Sequence, residues 1–524
     1  MRALIFMTAV AASAVTSLCA AKSESLTLTV SVDTLNPGPS IDRNIYGQFA
    51  EHKGTLIYDG IWVGEASKIP NVRGIRADVV TALKNIHVPL VRWPGGCFAD
   101  DYHWRDGIGP REHRTKRTNV YGQLESNQFG THEFMDFVQQ INAEPYIALN
   151  VGSGTIQEAR DWLEYMNSND GALADLRRVN GRRDPWKVKY IGVGNEMWQC
   201  GGNMRAEYYS DVLRRYSEFL YDDAPQGEAR YLIASGPLND SYDWTRTLMQ
   251  NSSWTYPRSD IRVRFFHGLS LHYYTFPGGE WAPTSNLGHA LGFSENEWFS
   301  TLHAAHRLDV ILAGHSAVMD QYDPTKEVSL VVDEWGTWYA SGSGTNPDQQ
   351  QNSLRDAIAA AITFNLFHRH TDRVKIANIS MMVNVFQSVI LTHEDKIVLT
   401  PTYYAFDLYQ PFQGATPYPA HVAGAPPGSL FGDLPIVDAS AARGRDGKLY
   451  LALVNVDPQR SVHIVTNLTG RSKGSILTGP QMDSHNTFEA PNLVRPIPFA
   501  GTTDELGRAT FTLPAKSVAV VSVE

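Results

Sequence analysis

Cysteine is scarce, with three in 524 residues, at positions 19, 97 and 200. That excludes a disulfide framework, which needs several pairs at set spacings. Cys97 and Cys200 read as two free thiols. Basic charge is also short: 45 lysines and arginines face 55 aspartates and glutamates, a net charge of −10. Without a basic patch, nucleic acid is not an expected partner. Past residue 21 no hydrophobic run approaches the roughly 20 residues that span a bilayer, so no membrane partner is expected. No glycine-rich phosphate fingerprint follows the first strand-like run, which argues against an open dinucleotide-binding sheet. His368 and His370 end a helical pattern and read as solvated. They lack the spacing of a metal site, and neither metal nor cofactor is expected.

Residues 1–21 have the shape of a signal peptide. Arg2 is followed by the small, apolar run Ala3 to Leu18 and then by Cys19, Ala20 and Ala21. The expected location is therefore secreted or periplasmic.

Short apolar runs recur along the middle of the chain, at 44–49, 88–93, 145–150, 189–193, 231–235, 269–273, 330–333 and 376–383. Continuous apolar runs of this length suit parallel strands buried on both faces. Helical periods lie between them. Phe134, Phe137, Val138 and Ile141 follow a Thr131 cap; Ile156, Ala159, Leu163 and Met166 form another stripe. Ser294 and Glu297 make a capping-box pattern, and Leu354, Ile358, Ile362 and Leu366 mark the last long helix. Eight strands alternating with helices predict an α/β fold, a (β/α)8 TIM barrel, over residues 43–400. Beyond 400 the pattern changes to short alternating runs such as Leu449, Leu451 and Leu453, which predict an all-β C-terminal sandwich over 401–524. The segment 22–42 holds one more alternating run, Leu26 to Val32, expected to join that sandwich.

Barrel enzymes carry their chemistry where strands end. Two carboxylates stand there: Glu196, after the fourth strand in Gly194-Asn195-Glu196, and Glu334, after the seventh in Asp333-Glu334-Trp335. Most glutamates are solvated surface residues. A pair at strand ends facing one mouth is instead what glycoside hydrolysis needs: one acid for the leaving oxygen, one nucleophile for the anomeric carbon. A charged Glu334 would keep Glu196 protonated until the sugar esterifies Glu334; Glu196 could then act as base.

Longer stretches narrow this. Tyr46-Gly47-Gln48-Phe49-Ala50-Glu51-His52, Val91-Arg92-Trp93-Pro94-Gly95-Gly96-Cys97-Phe98-Ala99-Asp100, Phe129-Gly130-Thr131-His132-Glu133-Phe134, Gly192-Val193-Gly194-Asn195-Glu196, Leu271-His272-Tyr273-Tyr274-Thr275 and Val332-Asp333-Glu334-Trp335-Gly336-Thr337-Trp338-Tyr339 closely resemble glycoside hydrolase family 51. The likeness covers nearly the whole chain after the leader. It implies a retaining α-L-arabinofuranosidase with a barrel and a sandwich, usually a homohexamer. By position it implies Glu196 as acid/base and Glu334 as nucleophile. Asn195 would bond the sugar 2-hydroxyl and Tyr274 the nucleophile; Glu51, Arg92, Cys97 and Gln387 would line the furanose pocket, and Trp338 would supply an aromatic wall. Arg92 also reads as an ion pair for Glu334, and His272 as a supporting residue. Two stretches depart from the family pattern. Asn119-Val120-Tyr121-Gly122 puts Val120 or Tyr121 where a tryptophan often covers the sugar, and Glu196-Met197-Trp198-Gln199-Cys200 replaces the usual acid/base loop.

The expected function is exo-acting release of terminal arabinofuranose from arabinan, arabinoxylan or arabino-oligosaccharides. The rival is an endoglucanase or β-xylosidase of the same barrel type, and further off a non-catalytic carbohydrate-binding protein.

Overall fold

The computed structural model describes residues 26–220, 230–255, 262–278, 287–340, 348–424 and 432–524; the expected signal peptide lies outside them. Eight parallel strands close into a barrel: β1 (Gly47–Phe49), β2 (Leu90–Trp93), β3 (Glu144–Leu149), β4 (Tyr190–Val193), β5 (Tyr231–Ala234), β6 (Gly268–Thr275), β7 (Ser329–Thr337) and β8 (Val374–Ile379). They pair in chain order, and β8 closes on β1. Burial on both faces explains the unbroken apolar runs; all nine residues of β7 are buried. Leu90, Tyr146, Ile233, Val331 and Ile376, from five strands, form a separate buried cluster, the kind of layer that fills a barrel interior.

The helices start where the caps put them. Thr155 caps Ile156–Asn167 by accepting the Glu158 N–H at 3.1 Å. Ser294 and Glu297 cap each other's backbone at 3.2 Å before Glu295–His306. Helix Thr131–Ile141 differs from expectation. Gly130 takes the cap position and donates its N–H to Glu133 at 2.9 Å. A Cβ there would stand 1.9 Å from the Gly107 carbonyl oxygen, so a glycine is required. Thr131 is instead buried in the first turn, where its hydroxyl accepts the Trp162 indole N–H.

Two antiparallel-rich sheets form the sandwich. Leu26–Val32 lies in the first, parallel to Val462–Thr469 and antiparallel to Ala420–Ala423. Leu28, Val30 and Val32 alternate into its core against Leu451, Leu453 and Val521. One helix, Pro401–Tyr409, stands where only strands were expected. Thr400 caps it and proline occupies its first turn, a position that needs no N–H.

His368 corrects another expectation. Helix Leu354–Arg369 is covered by the sandwich, so His368 is buried rather than solvated. Its ring joins Tyr46 of the barrel side (2.7 Å) to Ser440 of the sandwich (2.8 Å). Burial lowers its pKa to about 3 and keeps the imidazole neutral. Beside it Arg369 binds Asp438 at 2.6 Å, and half-buried His370 pairs with Asp309 at 2.7 Å.

Candidate active site

The mouth of the barrel gathers the expected residues onto the ends of β1, β2, β4, β6 and β7. Strand β7 runs past Asp333 to Thr337, so Glu334 sits within the strand and in register with His272 of β6. Glu334 accepts from Arg92 Nη1 at 2.8 Å through Oε1 and from the Tyr274 hydroxyl at 2.7 Å through Oε2. The Tyr274 hydroxyl is 2.8 Å from Ser380 Oγ. Both carboxylate oxygens are thus fixed in direction, as a nucleophile requires. Arg92 also donates to Asn195 Oδ1 at 2.5 Å, which ties Glu334 to the residue before Glu196.

Asp333 was not singled out from sequence, and it is the buried anion beneath this array. It takes hydrogen bonds from Tyr146 (2.7 Å) and Ser270 (2.5 Å), and lies 3.5 Å from Arg92 Nε and 3.3 Å from His272 Nε2. Burial would raise its pKa, but Arg92 and His272 outweigh that and hold it down to about 2.

Glu196 follows β4 at a sharp turn. Gly194 has φ +82° and Glu196 itself φ +43°, a left-handed conformation that costs a side-chain-bearing residue energy and is tolerated where surroundings impose it. The imposing groups are visible. Asp100, another residue missed from sequence, accepts the N–H groups of Asn195 (2.7 Å), Val151 (2.7 Å) and Gly152 (2.9 Å), pinning the loops after β3 and β4. The free-thiol reading is also corrected. Cys97 and Cys200 form a disulfide across 103 residues, because the turn after β4 brings residue 200 back against the loop after β2. Its Cys200 sulfur lies 3.6 Å from Glu196 Oε2, so Cys97 reaches the site as half of a crosslink.

His272 joins the two carboxylates. Its Nδ1 is 2.8 Å from Glu196 Oε1 and 3.6 Å from Glu334 Oε2. Burial alone would lower its pKa; the Glu334 charge and the hydrogen bonds to Asp333 and Glu196 raise it to about 10. It is therefore a cationic donor. Glu196, His272 and Glu334 could together offer three atoms to a metal ion, all within 4.8 Å of one another. A metal ligand must be a neutral imidazole, so this environment favours the proton over a metal.

The third carboxylate, Glu51, is 2% exposed, and burial raises its pKa. Its Oε1 accepts from Gly96 N (2.9 Å), Phe98 N (3.1 Å) and the Tyr121 hydroxyl (2.7 Å). The Gly95-Gly96 pair makes this approach possible: a Cβ on Gly96 would lie 3.0 Å from Glu334 Oε1 and 3.4 Å from Glu51 Oε1. Of the two residues left open after β2, Tyr121 points inward and Val120 is 47% exposed. Trp338 packs on Phe386 and Tyr274, with ring centroids 4.3 Å and 5.4 Å away. Gln387 is placed differently from the pocket-lining role that the resemblance implies. Its amide is committed to the protein, accepting from Thr337 N (2.7 Å) and donating to the Asp356 carbonyl (2.8 Å), so it clamps the end of β7.

This geometry can be compared with known proteins. Two family models match, the α-L-arabinofuranosidase 1 domain over residues 82–261 and the α-L-arabinofuranosidase C-terminal domain over residues 333–517. An intracellular exo-α-L-arabinofuranosidase of Bacteroides ovatus is 43% identical, with all of both chains covered. The GH51 arabinofuranosidase of Xanthomonas axonopodis pv. citri is 46% identical with a TM-score of 0.89, covering 95% of this chain and 100% of that one. The chain belongs to glycoside hydrolase family 51.

It is an exo-α-L-arabinofuranosidase with a TIM barrel and a β-sandwich, as the sequence implied. The arabinose complex of the Thermotoga maritima α-L-arabinofuranosidase, 32% identical with a TM-score of 0.81 over 95% of this chain and 100% of that one, has the same fold. The expected secreted or periplasmic location is overturned: the Bacteroides ovatus relative, alike from end to end, is named intracellular.

Proposed function

We propose that this arabinofuranosidase works by double displacement with retention, Glu334 attacking the anomeric carbon and Glu196 serving first as acid and then as base. The observation that carries this is the separation of the two groups: a Glu196 oxygen and a Glu334 oxygen lie within 4.8 Å of each other. Retaining enzymes hold their carboxyls about 5–5.5 Å apart; inverting ones need roughly 6.5–9.5 Å to admit a water. Arg92 and Tyr274 keep Glu334 aimed, and Arg92 also holds Asn195, which in this reading meets the sugar 2-hydroxyl. Glu51, Arg92, Tyr274 and Trp338 form the walls of a pocket for one furanose. Its substrates are the terminal arabinofuranoses of arabinan, arabinoxylan and arabino-oligosaccharides. By family resemblance the enzyme assembles as a homo-oligomer, a hexamer, which sedimentation velocity would test.

The test of the mechanism is product stereochemistry and two variants. Methanolysis of para-nitrophenyl α-L-arabinofuranoside followed by NMR should show the α-methyl glycoside first; an initial β product would overturn retention. Glu334→Ala should abolish turnover while arabinose still binds, and surviving hydrolysis would remove Glu334 from the role. Glu196→Ala should spare activated aryl substrates far more than oligosaccharides, since their leaving groups need no proton, and azide should restore its second step.

A further inference from the structure

The hairpin after β2 is fixed at both ends. At its base, where Arg117–Thr118 pairs with Leu124–Glu125, the Glu125 carboxylate meets His52 Nδ1 at 2.8 Å, the Tyr58 hydroxyl, and the Asn127 N–H at 2.6 Å. His52 is the neighbour of Glu51 in the chain. At the tip, Asn119 Oδ1 accepts the N–H groups of Tyr121 and Gln123, both at 3.0 Å. That turn aims Tyr121 at Glu51 and leaves Val120 outside.

Three donors converge on Glu51 Oε1: two backbone amides and the Tyr121 hydroxyl. Among the described residues, no hydrogen bond reaches Glu51 Oε2. Burial and the nearby Glu51 charge hold the Tyr121 hydroxyl well above its ordinary pKa, so it remains a donor. The Tyr121 ring is itself clamped. Lys53 Nζ stands 4.2 Å from its centroid and 5.3 Å from that of Phe386, and is 3.6 Å from Asp348.

We propose that Tyr121 is a specificity-determining residue, which turns Glu51 Oε2 toward one furanose hydroxyl and, with Lys53, walls off the space beyond it. The inference rests on the pocket described under Proposed function. With Oε1 saturated, Oε2 is the acceptor left for substrate. On this proposal the phenol ring and the ammonium group above it take the space that a second sugar on the hydroxyl held by Glu51 would need. The wall therefore admits an unsubstituted terminal arabinofuranose and refuses one extended at that position. A rigid hairpin does this without closing motion.

Tyr121→Phe keeps the wall and removes the donor. Its KM for para-nitrophenyl α-L-arabinofuranoside should rise about tenfold, the loss of one hydrogen bond to a charged group, with kcat changed less than about threefold. Calorimetry should show arabinose affinity falling by the same factor. Tyr121→Ala should lose affinity too. It should also begin to cleave an arabinotetraose capped at its non-reducing end, which the unaltered enzyme should leave intact. An unchanged KM and arabinose affinity in Tyr121→Phe would overturn the proposal. So would Tyr121→Ala that melts normally yet still refuses the capped substrate. Glu334→Ala, run alongside, separates this from the catalytic assignment: hydrolysis surviving there sinks the nucleophile and leaves the binding result for Tyr121 standing.

Discussion

Glu334 belongs to a strand that is hydrogen-bonded to β6 on one side and β8 on the other, whereas Glu196 stands in a left-handed turn just past β4. The sheet itself places Glu334, the proposed nucleophile; Arg92 and Tyr274 only choose its orientation. Glu196, the proposed acid/base, has no such ladder. It is located by crosslinks: Asp100 on the Asn195 amide, the Cys97–Cys200 disulfide and the His272 ring. A group that attacks one carbon must keep one position. A group that gives a proton and then takes one from water can sit on a turn, provided the turn is tied down. The two halves of the site should then fail differently.

The largest effect should come from the Glu334 side. Arg92 is 1% exposed, and burial lowers its tendency to hold a proton less than Asp333 and Glu334 raise it. Arg92→Met takes from two buried carboxylates one of the two cations they share, His272 being the other. Removing one partner of a buried pair costs about 3–5 kcal/mol. The urea midpoint should drop accordingly, and kcat/KM should fall on the order of a thousandfold for every leaving group. Arg92→Lys should recover little, because an ammonium cannot span Glu334 and Asn195 with a planar fork. Full rescue by lysine would show that charge alone matters there.

That asymmetry also decides what was legible beforehand. The eight strands were visible because burial on both faces leaves continuous apolar runs, and Glu196 and Glu334 because they terminate or follow such runs. Asp333 and Asp100 were not. Each is an ordinary aspartate in the sequence, and only the folded chain shows Asp100 collecting amides from positions 151, 152 and 195. The disulfide was hidden for the same reason: a separation of 103 residues carries no geometry. Tyr121 could not be told from Val120, since the choice depends on a turn that Asn119 sets. His368 was misplaced because Ser440, in the sandwich strand that covers it, is 72 residues away in the chain.

The Glu196 side should break more gently and more selectively. Cys97→Ser with Cys200→Ser, or reduction of the intact enzyme, frees the turn that carries Glu196. A disulfide closing a long loop contributes about 2–4 kcal/mol, so the melting temperature should fall by several degrees. Activity on arabino-oligosaccharides should fall about tenfold, but on aryl substrates with activated leaving groups much less, because only the former need a well-aimed proton. Equal losses on both would mean that the disulfide supports the whole mouth and not the acid/base turn.

His272 belongs to both sides, and its effect should depend on pH. Its folded-state pKa, about 10, lies above the 6.5 of an ordinary histidine. The fold therefore binds its proton more tightly than the unfolded chain does. That stabilisation is fully present below pH 6.5 and is lost as the pH rises toward 10. Melting temperatures of the unaltered enzyme and of His272→Gln should differ most at pH 6 and converge by pH 10. Lysines, tyrosines and surface groups titrate in both proteins and drop out of the difference. A gap that stays constant across this range would mean that His272 is held neutral. The link between the two halves of the site would then be a hydrogen bond without a charge.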